Sequence, residues 1–305
     1  MIHTKVRSAR VLLFLGVNFA ILLVLGIVFS VLGIDGLLDA QGVHLDLMAL
    51  LVYSLVIGFA GSFISLAISK WIAKRTMRVR VIEQPANRTE EWLVDTIRRH
   101  SETCHIQPPE FGIFDSPQPN AFATGMNKNN ALVAVSTGLL KQMSQDEVEA
   151  VIGHEMAHVA NGDMVTMALL QGVLNTFVIF LSRVIGFLVD RLVFRVQRGF
   201  GPGYFIVSIV AQILLSVLAT IVVMWFSRRR EFRADAGGAY LAGRDKMISA
   251  LQRLREVSQP RDLPDTMAAF GISGTRPTSR MRQLFLSHPP LEERIRALQN
   301  NEVQP

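Results

Sequence analysis

Cysteine is almost absent from this chain of 305 residues: Cys104 stands alone, so no internal disulfide can form and every element must be held by packing and hydrogen bonding. Charge is scarce as well. Asp, Glu, Lys and Arg together make up 18% of the residues, against about a quarter in ordinary soluble domains. Half the chain is hydrophobic and its mean hydropathy is positive, which excludes a plain soluble domain as the simplest reading and points to a bilayer. Trp and Tyr number three each, and the excess of six positive charges gathers beside apolar runs instead of interleaving with aromatics along one face. That distribution excludes a nucleic-acid-binding surface and is better explained by membrane topology.

Four runs lack charge altogether: residues 11–33, 47–68, 164–182 and 204–226. Each is long enough for a bilayer core that needs about 20 helical residues. The first follows Lys5, Arg7 and Arg10 but has no small-residue cleavage site behind it, so it is read as a retained anchor. Lys70, Lys74, Arg75, Arg78 and Arg80 crowd the far end of the second, while the loop between the two carries Asp35, Asp39 and Asp46 and no Lys or Arg. The positive-inside rule therefore places both ends of this hairpin in the cytoplasm. The second pair is less consistent, because Arg191, Arg195 and Arg198 sit in its connection. Two crossings are expected, with a hairpin lying partly in the interface as the alternative. Arg228, Arg229 and Arg230 mark the return to the cytoplasmic side.

Soluble character prevails elsewhere. Residues 90–104 predict an amphipathic helix with Trp92, Leu93 and Ile97 on its apolar side, and short apolar runs near 110–114, 121–126 and 131–135 predict strands of a small sheet with a hairpin turn at Asn127 to Asn130. Ser144 with Glu147 three positions on is a capping-box pattern that starts a helix, and Asn161-Gly162 ends it. A helix over 244–257, a Pro/Gly/Ser-rich stretch to about 280 and a short helix begun by Pro290 complete the chain.

The predicted helix from Ser144 contains His154-Glu155-Met156-Ala157-His158, the HExxH pattern. Positions i and i+4 differ by only about 40° of rotation, so both imidazoles face one point and can share a metal, with Glu155 beside them to take a proton from a water. A catalytic zinc needs a third protein ligand and one open position. One known arrangement requires a glycine and a histidine where Asn161 and Met164 stand, and is excluded. Glu231 is the remaining candidate. Taken alone it would neutralise the neighbouring arginines, but Asp235 lies one helical turn on, where its carboxylate could accept the second ring N–H of a ligating histidine. His3, His44, His100 and His105 have no partner at ligand spacing, and His288 by itself is a helix-entry residue.

His154-Glu155-x-x-His158, Glu231-x-x-x-Asp235, the run Asn120-Ala121-Phe122-Ala123-Thr124-Gly125, and Ser287-His288-Pro289-Pro290-Leu291 followed by Arg294-Ile295 resemble the HtpX family of bacterial membrane proteases. These are relatives of the eukaryotic membrane enzyme that trims prenylated proteins. The likeness covers nearly the whole chain and implies a mainly helical α+β protein with about four transmembrane helices and a cytoplasmic zincin-type domain with a small sheet. Its division would be an N-terminal hairpin over 1–78, a first catalytic part over 79–163, a second membrane hairpin over 164–226 and a second catalytic part over 227–305. It implies one Zn2+ held by His154, His158 and Glu231, with Glu155 as catalytic base and Asp235 behind a ligand. His288 and Arg294 would lie near the metal, and Asn120, Ala121 and Phe122 near an edge strand that pairs with substrate. The implied setting is the bacterial inner membrane, with both termini and the catalytic domain cytoplasmic and unfolded or misassembled membrane proteins as substrates. A silent membrane adaptor and a transporter are the rival classes; the intact HExxH opposes the first, and the lack of Asp or Glu in the third and fourth runs opposes the second.

Overall fold

The computed structural model describes residues 45–196, 199–258 and 288–300. The expected first span at 11–33 and most of the Pro/Gly/Ser-rich stretch lie outside the described residues. Within them the chain forms two compact units, one taking in residues up to Phe63 with Leu169–Ala219, the other Ile64–Ala168 and the chain from Thr220 onward.

The second unit is built around a four-stranded sheet. Helix α1 (Leu47–Thr76) leads into β1 (Arg80–Val81) and α2 (Arg88–Cys104); then come β2 (Glu110–Phe114), β3 (Ala121–Asn127) and β4 (Asn130–Ser136). The strand order is β1-β2-β4-β3, with β2 and β4 parallel and the other pairings antiparallel. β4 carries the central apolar run, and Leu132, Val133, Ala134 and Val135 are fully buried there. β3 takes the edge, its hairpin with β4 turning between Asn127 and Asn130 as the polar residues predict. Two-residue β1 was not legible from periodicity. α2 starts two residues earlier than expected because Asn87 caps it, accepting from Glu90 N at 2.9 Å.

After the short α3 (Thr137–Gln142), α4 (Gln145–Asn161) begins at Ser144, and both bonds of the capping box form. It stops at Gly162, whose φ of 66° is the left-handed conformation that glycine adopts without a Cβ clash. α5 (Asp163–Leu192) starts at the next residue. α6 (Pro202–Ala242) is one continuous helix of 41 residues, so the polar segment after Phe226 continues the membrane helix instead of beginning a separate element. Hydropathy reports the surroundings of a helix, not its end. α7 (Arg244–Ser258) and α8 (Leu291–Gln299) close the unit. Leu93, Ile97, Ile152, Met156, Met247 and Leu251 fill the core between sheet and helices.

In the first unit, α1, α5 and α6 are each long and apolar enough to cross a membrane. Small residues allow close approach: a Cβ on Gly58 would lie 2.6 Å from Thr176, and one on Gly172 would lie 2.8 Å from the Phe59 ring. Val52, Val56, Ile206, Ile209, Ile213 and Leu214 face outward, an apolar surface that lipid would cover. The arginine-bearing connection also acquires a local explanation. Arg191 is buried and donates to the carbonyls of Val196 and Gly199, and the neighbouring Asp190 accepts from Gly201 N at 2.8 Å and Tyr204 N at 3.1 Å, capping α6 from a distance. Arg191 is thus occupied inside the loop and is a poor indicator of sidedness.

Candidate metal centre

Two helices supply the donors, and their crossing is set by glycine. A Cβ on Gly237 would lie 2.5 Å from Ala157 Cβ, and one on Gly238 would lie 3.0 Å from His154 N, so α6 passes α4 at a distance only glycine permits. Glu231 is thereby carried against the HExxH turn. His154, His158 and Glu231 are all buried, and one ligand atom from each falls within 4.8 Å of the others. His154 Nε2 lies 3.7 Å from Glu231 Oε2 and His158 Nε2 lies 3.4 Å from Glu231 Oε1.

The shorter separation equals the edge of a metal tetrahedron and the other is a few tenths of an ångström longer. Donors about 2.0–2.1 Å from a tetrahedral zinc stand about 3.3–3.4 Å from one another. Among the described residues, moreover, buried Glu231 Oε1 finds no hydrogen-bond partner, which in a close-packed interior requires compensation. A cation shared with the two imidazoles would supply it. The donor set of two histidines and a glutamate fits zinc.

A second layer surrounds the three. His154 Nδ1 lies 3.0 Å from Asp235 Oδ1, as the one-turn spacing from Glu231 suggested. Asp235 also accepts from Arg294 Nε at 2.8 Å and Nη2 at 2.5 Å, a bidentate pair buried with it. Arg294 Nη1 stands 3.6 Å from Glu231 Oε2, and His288 Nδ1 donates to that same oxygen at 2.7 Å. His158 Nδ1 donates to Asp163 Oδ2 at 2.7 Å. Asp163 was missed from sequence; the available signal was a carboxylate just beyond the helix stop, five residues after a histidine of the motif. Glu155 is half-buried beside the cluster, and its charge is felt by both His158 and Arg294.

Electrostatically the pocket attracts positive charge. Burial pushes the His154 imidazole down, but the hydrogen bonds with Asp235 and Glu231 outweigh it, and the group is raised to about 9. His158 is likewise pushed down by burial and raised beyond that by Asp163 and Glu231. The carboxylates that draw a proton to each ring would draw a metal ion to the point between them.

Asn120, Ala121 and Phe122 stand at the start of edge strand β3. Asn120 N donates to Ser136 Oγ at 2.9 Å and its carbonyl accepts from Ser136 N at 2.8 Å, while the Phe122 ring packs on Phe114. β3 packs against α4.

Comparison with known proteins agrees with this geometry. Residues 87–302 match Peptidase family M48. The chain is 64% identical over 95% of its length to "Protease HtpX" of Thioalkalivibrio sulfidiphilus, covering 98% of that protein, and 61% identical over 95% to "Protease HtpX homolog" of Nitrosomonas eutropha, covering 99%. Its fold resembles the crystal structure of S. mikatae Ste24p with a TM-score of 0.59 at 18% identity, covering 90% of this chain and 64% of that one. With a M48 match over most of its length, apolar helices long enough to cross a bilayer and a His-His-Glu cluster able to bind a metal, the chain belongs to the HtpX group of membrane metallopeptidases within peptidase family M48.

Proposed function

We propose that this membrane metallopeptidase is a zinc endopeptidase in which His154, His158 and Glu231 hold the metal and Glu155 is the catalytic base. The observation that carries it is the convergence of three buried donors within 4.8 Å of one another, one with an oxygen that no hydrogen bond claims among the described residues. Zinc bound there would supply Lewis acidity, polarising the scissile carbonyl and lowering the pKa of a water to about 7. Glu155 would take a proton from the attacking water and return it to the leaving amine. His288, 63% exposed and tethered to Glu231, would donate toward a developing oxyanion, and Arg294 would balance the negative charge of Asp235 and Glu231.

The outer edge of β3, the last strand of the sheet among the described residues, would take an extended peptide by backbone pairing, which selects for conformation more than for side chain. Unfolded or misassembled membrane proteins meet that requirement beside a bilayer. The lysines and arginines at the end of α1 and after Phe226 support an inner-membrane location with both termini and the catalytic unit cytoplasmic. The 1–78, 79–163, 164–226 and 227–305 division follows the same logic, the two membrane hairpins each returning the chain to the catalytic side.

The test compares the parent with Glu155→Gln in detergent. Both are expected to hold one zinc per chain and melt together, while only the parent cleaves an unfolded model substrate and loses that activity to chelator. A variant that still cleaved would remove Glu155 as the base.

A further inference from the structure

Each histidine of the HExxH turn has its own carboxylate, but the two carboxylates are differently placed. Asp235 is shared: it accepts from His154 Nδ1 and, through both oxygens, from Arg294. Asp163 is not. It is 4% exposed, its Oδ2 lies 2.7 Å from His158 Nδ1, and among the described residues its only ion pair is with that ring. Its charge is therefore spent on one partner in a desolvated setting, where a charge-assisted hydrogen bond is strong.

The backbone explains how a residue beyond the end of α4 reaches back to it. Gly162 turns the chain through the left-handed region, and α5 begins at once with Asp163 in its first turn, where the unpaired N–H groups and the helix dipole favour a negative side chain. The carboxylate is thus fixed by the helix junction itself. Since a carboxylate only accepts, the proton must sit on Nδ1 of His158, and the lone pair of Nε2 is left to face Glu231 Oε1 at 3.4 Å.

We propose that Asp163 is a positioning residue for the metal centre, holding His158 in the Nδ1–H tautomer and in the ring orientation that aims Nε2 at the ion. It rests on reading His158 as a ligand. Because the Arg294 side chain shares Asp235 while, among the described residues, Asp163 forms an ion pair with His158 alone, the His158 side of the centre depends on its aspartate more steeply than the His154 side does.

The full-length protein in detergent is titrated with zinc against a chromogenic chelator, and cobalt(II) is substituted for zinc to read ligand geometry from its visible spectrum. Asp163→Asn is expected to weaken zinc binding about 10- to 100-fold, the range for partners of ligating histidines, since its amide can present N–H to the ring and favour the wrong tautomer. Asp163→Ala should weaken it at least as much and alter the cobalt spectrum; Asp163→Glu should recover part of the affinity. Melting in excess chelator should match the parent for Asp163→Asn. Parental zinc affinity in both Asp163→Asn and Asp163→Ala would overturn the proposal, as would a loss of melting temperature in chelator as large as that in zinc, which would make Asp163 a structural support. Glu231→Ala runs alongside. If it loses zinc while the Asp163 variants do not, only the role of Asp163 fails; if it too keeps parental affinity, the ligand set itself is wrong.

Discussion

Buried charge occurs in both units, and it does different things in each. In the catalytic unit, His154, His158, Asp163, Glu231, Asp235 and Arg294 converge on one point, and Glu231 keeps an oxygen that no hydrogen bond claims. In the membrane unit, Asp190 and Arg191 are equally buried, yet each turns to the backbone: the aspartate caps α6 and the arginine takes up loop carbonyls. An ionisable residue near a membrane helix is commonly read as functional. Here convergence, not burial, separates the two cases, because a group occupied by main-chain partners has nothing left to offer a ligand.

The largest effect should come from exchanging the two classes. Glu231→Ala removes a donor and leaves two histidines, so zinc affinity should fall by more than the roughly 100-fold upper end seen for outer partners, and cleavage should vanish. Asp190→Ala removes a cap instead. It should cost about 1–2 kcal/mol of stability and leave zinc binding unchanged. Zinc titration and melting of both variants decide the matter, and a metal-binding defect in Asp190→Ala would erase the distinction between the units.

The helix crossing gives a middle-sized effect with an informative sign. On propensity alone, Gly237→Ala in the interior of α6 should stabilise by up to about 1 kcal/mol. Its new Cβ, however, would stand 2.5 Å from Ala157 Cβ, about 1 Å inside contact distance, and neither atom can rotate away. Overpacking of this kind costs about 1–3 kcal/mol, so the variant should be destabilised. Separating α4 from α6 by such a distance should also lower kcat/KM by about 100-fold, as misplacement on that scale does. Adding Ala157→Gly to the same chain should restore much of the activity. Stabilisation by Gly237→Ala would mean the helices do not meet as described.

What sequence made legible was local. The start and stop of α4 are written in Ser144, Glu147 and Gly162, and the pairing of Glu231 with Asp235 follows from one helical turn. The strands and their hairpin could likewise be read from short apolar runs around a polar turn. Features that need two elements in space were hidden. Asp163 could be assigned only once α5 was known to restart immediately after Gly162, and Gly237-Gly238 reads as helix-weakening until Ala157 is seen opposite. Arg191 counted against an external connection after α5 because composition does not show that it folds inward. The resemblance added His288 and Arg294, which no spacing rule would have joined to Glu231 across 57 and 63 residues of chain.

The smallest expected effect tests whether the comparison is really between units or between kinds of partner. Glu90 belongs to the catalytic unit and is as buried as the metal cluster, but it behaves like Asp190: one oxygen accepts from Ala86 N at 2.9 Å at the start of α2, and the other from Arg80 Nη2 at 2.7 Å on β1. The Arg80 hydrogen bond, followed by that from Ala86, holds the Glu90 carboxyl below its usual range against the opposing effect of burial. A depressed folded-state pKa contributes stability that is present above the unfolded value of about 4.3 and is lost as pH falls through the folded value. Charged hydrogen bonds can contribute about 1.5–3 kcal/mol, but the Arg80 side chain is 60% exposed and screened, so Glu90→Gln should cost only about 1 kcal/mol at pH 7. At pH 3 the gap between variant and parent should narrow, because the parent is then losing its charge. Zinc affinity and kcat should not move at pH 7. Melting curves at the two pH values, with a zinc titration at pH 7, check this; a Glu90→Gln protein that lost zinc would show that the fold around α2 and the metal cluster cannot be separated as the partners of Glu90 indicate.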